Sequence, residues 1–114
     1  MPRKELTCSG YGSMWLIALF DLPVKTKKDR KIYTQFRKTL IKDGFSMIQY
    51  SVYVRFCASE EHAVQHRGTV RAAVPSQGQV RIISLTDRQF AKMENYVGRV
   101  EVPPEHAPSQ LMLF

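Results

Sequence analysis

The sequence predicts an α+β domain with the element order βαββαβ. Three observations predict it. Met14–Phe20 and Gln79–Thr86 carry apolar residues on both alternating faces, as strands covered on two sides do. Two segments with helix start and stop signals, about 26–43 and 59–74, alternate with these runs. Between them lies 45–56, rich in β-branched and aromatic residues. At 114 residues and 44% hydrophobic content, the chain suits one compact domain with a substantial core.

Residues 1–13 read as a flexible leader. Ser9-Gly10-Tyr11-Gly12-Ser13 lacks the Gly-Lys-Ser/Thr ending of a phosphate-cradling loop. The first strand, Met14–Phe20, puts Trp15, Ile17 and Leu19 on one face and Leu16, Ala18 and Phe20 on the other. Asp21 ends it. A carboxylate after so apolar a run needs donors or a cation if it is buried. Pro23 disfavours helix at Leu22, so the chain turns directly after the acid. Asp21 is therefore either a turn residue accepting backbone N–H bonds or a site residue at a strand's carboxyl end.

The first helix spans Thr26 to Asp43 and stops at Gly44. Ile32, Tyr33, Phe36 and Leu40 share one sector, the core stripe. Lys27, Lys31, Lys38 and Lys42 share the opposite one, flanked by Arg30 and Arg37. Phe45–Tyr50 and Ser51–Phe56 read as two short strands, but no Asn-Gly or Asp-Gly turn separates them. A bulge, a kink and a continuous bent strand all fit that join. The second helix starts at Ser59, a good N-cap, with Glu60 and Glu61 in its first turn, and ends before Pro75. Gln79–Thr86 is the fourth strand. Thr86 to Lys92 reads as a short helical turn and Met93 to Val102 as a strand. Pro103 to Pro108 is an extended linker to Leu111-Met112-Leu113-Phe114, which reads as a docked edge strand. The domain thus covers 14–92, with an extension over 93–114. The order suits a ferredoxin-like sandwich with both helices on one sheet face. The other face, apolar on the first and fourth strands, needs a cover, and a two-fold mate supplies one most simply.

Lys and Arg outnumber Asp and Glu 17 to 10, giving a net charge of +7. In so small a chain that bias points to polyanions. No apolar run reaches the length of a membrane span, and no secretory signal is read. Cys8 and Cys57 form no metal motif, which fits a reduced, cytoplasmic protein. His62 and His66 sit four apart on the second helix, but Ala63 follows where a zinc-protease motif has Glu. They read as an exposed pair rather than ligands. One carboxylate is a poor Mg²⁺ site, but a homodimer axis near the strand ends would make two Asp21 side chains converge on one ion.

The runs Leu16-Ile17-Ala18-Leu19-Phe20-Asp21-Leu22-Pro23, Arg30 to Lys38, and Gly44-Phe45-Ser46-Met47-Ile48-Gln49-Tyr50-Ser51-Val52-Tyr53 resemble the small CRISPR-associated adaptation proteins of the "Cas-two" family. Arg88-Gln89-Phe90 resembles members from type II systems. The likeness covers about 14–92. It implies a ferredoxin-like homodimer packed through its sheets, bridging two integrase dimers while duplex DNA is laid across it during spacer acquisition. It also implies metal-dependent nuclease activity in some members, on single-stranded RNA or duplex DNA, with Asp21 as catalytic residue and ligand of Mg²⁺ (or Mn²⁺). Lys27, Arg30, Lys31, Arg37, Lys38 and Lys42 are the expected nucleic-acid contacts. An RRM-like RNA-binding module shares the fold order, but Val52-Tyr53-Val54-Arg55-Phe56 lacks the glycine pattern of that signature strand. A basic ferredoxin-like dimer of other function is the remaining alternative.

Overall fold

The computed structural model describes residues 12–108. Most of the expected leader and the expected terminal strand over 111–114 lie outside these residues. Strands β1 (Met14–Asp21), β2 (Ser46–Gln49), β3 (Val52–Cys57) and β4 (Gln79–Thr86) form one sheet in the order β2-β3-β1-β4, every pair antiparallel. Helices α1 (Lys27–Lys42) and α2 (Glu60–Ala73) both cover one face of it. This is the ferredoxin-like arrangement the element order predicts.

Local chemistry explains the helix boundaries. Thr26 caps α1, its hydroxyl accepting from the Asp29 N–H at 3.0 Å while the Asp29 carboxylate accepts from the Thr26 N–H. Gly44 ends the helix with φ +97°, a conformation side chains resist. Ser59 caps α2 by accepting from His62 N–H. The helix-side core joins Leu16, Ala18 and Phe20 of β1 and Tyr53 of β3 to Phe36 and Leu40 of α1 and Val70 of α2.

The join between β2 and β3 is a tight turn through Tyr50 and Ser51, with a register shift between Met47 and Gln49. Ser51 has φ +61°. Such a conformation costs a non-glycine residue about 1–2 kcal/mol. Two tertiary bonds hold it: the Ser51 carbonyl accepts from Phe20 N–H at 3.1 Å, and its hydroxyl lies 3.0 Å from that of Tyr33.

The second sheet face carries Trp15, Ile17 and Leu19 of β1, Val52, Val54 and Phe56 of β3, and Ile83 and Leu85 of β4, as the strand registers dictate. A short helix α3 (Asp87–Ala91) folds back over part of it. Phe90 stacks on Trp15 with centroids 4.1 Å apart, and the Trp15 indole N–H donates to Asp87 at 2.6 Å. A second copy is therefore not the sole cover for this face, because the chain itself covers the Trp15 end. Toward the Asp21 end the described residues cover the face less: Ile83, opposite Ile17, is 42% exposed, and Arg81, opposite Leu19, is exposed. Residues 93–102, expected as one strand, instead form a hairpin of β5 (Asn95–Val97) and β6 (Val100–Val102), turned at Gly98 with φ +66°.

Candidate functional site

Asp21 closes β1 opposite Gln79 of β4. Strand alternation places it on the same face as Leu19, at the end α3 leaves open. Its side chain is exposed. Among the described residues, a buried carboxylate in want of a counter-charge is thus not what this chain presents. The backbone around it is tightly set. Gly78, at φ +87°, passes so close that a Cβ there would lie 2.7 Å from the Asp21 carbonyl oxygen and 2.7 Å from a Leu22 methyl. Only glycine suits that approach. The turn at Ser51 braces the strand from the other side through Phe20.

The cationic face of α1 forms as its periodicity predicts. Lys27, Arg30, Lys31, Lys38 and Lys42 are exposed, and Arg37 is half-buried. Lys27, Arg30, Lys31 and Lys38 line a shallow surface depression with Thr34 and Gln35, and Lys28 joins them. Lys28 was legible from the same 100° spacing that groups the others. Arg37 and Lys42 lie beyond the depression. Arg30 has a structural task as well, donating to the carbonyls of Val24 and Lys25 at 3.1 Å each and so pinning the loop after Asp21 to α1. Arg55 is unsuited to phosphate contact. It sits on the helix-covered face and donates to the carbonyls of Asp43 and Phe56 at 2.8 and 2.7 Å.

The histidines of α2 part company. His62 is exposed, but His66 is largely buried, its Nδ1 2.8 Å from the Asp43 carboxylate, tying α2 to the end of α1. Among the described residues, no three His, Cys, Asp or Glu side chains gather as a metal site. Within one chain the expected site is a single carboxylate, Asp21, and a hard cation that takes oxygen ligands would need a second one from elsewhere. The RRM-like alternative also loses ground here, because Trp15 lies beneath Phe90 instead of facing a base.

The sequence profile of the family described as CRISPR associated protein Cas2 matches residues 14–93. The chain belongs to the Cas2 family. A relative named CRISPR-associated endoribonuclease Cas2, from Parvibaculum lavamentivorans, is 54% identical over 101 residues, covering 89% of this chain and all of the relative. A protein of the same name from Flavobacterium psychrophilum is 45% identical over 104 residues, 91% of this chain and 90% of its own length. A solved structure titled "Crystal structure of cas2" aligns with a TM-score of 0.54 at 21% identity, over 84% of this chain and 99% of that one. It supports the fold. The Cas2 match ends within the segment that follows α3, so β5 and β6 lie beyond it. No helix among the described residues is long and apolar enough to cross a membrane.

Proposed function

We propose that this Cas2-family chain is a cytoplasmic CRISPR adaptation subunit. In this reading it is a homodimer joined through the open sheet face, which binds duplex DNA by its backbone and bridges integrase dimers during spacer acquisition. The observation that carries the dimer is the position of Asp21. It stands exposed at the open end of an apolar face, beside Leu19, while α3 covers the opposite end. A two-fold mate seated there buries Leu19 and Ile83 and brings a second Asp21 near the first. The cationic faces of the two α1 helices then offer a doubled stripe for phosphates, which positions a duplex without reading its sequence.

A second reading is favoured by the names of the relatives, which are endoribonucleases. In this reading the paired Asp21 carboxylates hold Mg²⁺ or Mn²⁺ and the dimer cleaves single-stranded RNA or duplex DNA. The ion supplies Lewis acidity at the scissile phosphate. The chain's own part is to hold Asp21 in place through Gly78, the Arg30-pinned loop and the Ser51 turn. The two readings share one protein and one site.

Asp21→Asn separates them. It keeps the side-chain shape and removes the charge that attracts a cation. Cleavage should fall to background, as it should on chelation of divalent ions, while duplex binding persists. Undiminished cleavage by the variant would place the activity elsewhere.

A further inference from the structure

Near the end of β1, on the helix side, lies an aromatic pair that neither reading uses. Tyr50, in the turn between β2 and β3, is 73% exposed, the most open large hydrophobic side chain among the described residues. It is not a loose surface ring. Its plane lies 17° from that of Tyr33 on α1, with centroids 6.0 Å apart. Tyr33 packs in turn on Phe20, the residue before Asp21, at 5.8 Å. The Tyr33 hydroxyl meets Ser51, whose φ of +61° sets the turn that presents Tyr50, and the Ser51 carbonyl is bonded to Phe20 N–H. A strained turn held by these partners thus fixes one aromatic ring, with its outer side bare, next to the end of β1.

The chemistry around the ring suits one kind of ligand. Tyr33 has Arg30 three residues before it and Arg37 four residues after it, the two positions that neighbour it on the helix surface. The Tyr50 phenol, held above its ordinary range chiefly by the Tyr33 hydroxyl, carries no charge near neutral pH, as tyrosines ordinarily do not. A flat ring with one side bare is the surface that single-strand binders offer to a base, and the basic helix beside it can meet the backbone phosphates. In a blunt duplex the faces of the bases are taken up by their neighbours. The pair also sits on the helix side of the sheet, so a mate on the opposite face leaves it accessible.

We propose that Tyr50, backed by Tyr33, is a stacking platform for an unpaired nucleobase of a single strand passing the end of β1. The inference rests on the reading of the chain as a nucleic-acid-binding subunit.

The test is binding to a fluorescein-labelled oligoadenylate of about twelve nucleotides, within the site size of single-strand binders. It is run in ribo and deoxy forms beside a blunt DNA duplex, with chelator present so that no cleavage intrudes. Tyr50→Ala should weaken single-strand binding about tenfold or more, the loss expected for one stacked base, and leave duplex binding within about twofold. Tyr50→Phe, which keeps the ring, should bind single strands like the wild type. A 2-aminopurine in the strand should be quenched by the wild type and Tyr50→Phe but not by Tyr50→Ala, a readout that a purely structural residue does not move. A larger loss on the ribo strand assigns the platform to RNA, and equal losses assign it to any unpaired strand. Unchanged single-strand binding by Tyr50→Ala, or equal weakening on strand and duplex, overturns the platform. Intact duplex binding in that event leaves the adaptation reading standing. Failure of the wild type to bind strand or duplex removes both.

Discussion

At the scale of single residues, two glycines of positive φ differ in how much each tolerates. Gly44 and Gly78 both hold positive φ. A Cβ on Gly44 would meet the Arg55 side chain at 3.0 Å, and a guanidinium can swing aside. A Cβ on Gly78 would meet backbone, the Asp21 carbonyl oxygen at 2.7 Å. Gly44→Ala should therefore cost about 1–2 kcal/mol, the conformational part alone. Gly78→Ala should cost distinctly more and also displace Asp21. Urea titrations of the two variants check the order, and equal midpoints would refute it. Cys57 makes a second residue-scale case. It is fully buried, and burial pushes its thiol above the ordinary range, partly offset by Arg55. A raised acid keeps its proton in the fold. Its contribution is whole below the ordinary thiol range and is lost as pH climbs from there through the raised value. Native protein should therefore resist alkylation at Cys57 at neutral pH, and urea should expose it, as peptide mapping would show. Rapid labelling of the native protein would contradict the buried, protonated thiol.

At the scale of elements, α1 does two jobs on two faces. Phe36 and Leu40 enter the core, and the lysines stand outside. From Lys27 to Lys42 the axis runs about 22 Å at 1.5 Å per residue, enough to follow several phosphates. If the stripe neutralises about four to six phosphates, log affinity for duplex should fall with log salt at a slope of about −4 to −5. Replacing Arg37 and Lys38 with Ala should make the slope shallower by about one unit for each phosphate left without its cation, with little dependence on sequence. An unchanged slope would move the path to other exposed cations such as Arg88. Much of this element was legible beforehand, because 3.6-residue periodicity and the Thr26 and Gly44 signals are local. The β2–β3 join was not legible. Ser51 takes up a turn conformation that only Phe20 and Tyr33, distant in sequence, make worthwhile. The cover over Trp15 was hidden for the same reason, since Phe90 lies far along the chain. At the site, the place of Asp21 could be read from the apolar run before it, but its exposure depends on which end of the face α3 reaches.

At the scale of the whole molecule, the proposed dimer stands or falls on the less covered half of the second sheet face. Leu19 and, opposite it, Arg81 lie next to Asp21 there, and Ile83, opposite Ile17, is nearly half exposed in one chain. A fully buried isoleucine contributes about 1.5–3 kcal/mol relative to an exposed one, so a mate that covers this region gains substantially from a few side chains. In the proposed dimer the same closure would bring like charges together, because two Asp21 carboxylates would approach across the axis. Like charges disfavour one another, and a divalent cation between them relieves the repulsion. The dimer should accordingly tighten when Mg²⁺ or Mn²⁺ is added and when Asp21 is changed to Asn, two changes with one electrostatic cause. Ile83→Glu should act in the opposite sense, placing two further carboxylates in the apolar interface and yielding monomer. Its folding is protected because the helix-side core of Leu16, Phe36, Leu40 and Tyr53 lies on the other face of the sheet. Sedimentation at low micromolar concentration measures all of these variants. A wild-type monomer, or an Ile83→Glu protein that stays dimeric, would move the interface off the open face and leave each Asp21 alone.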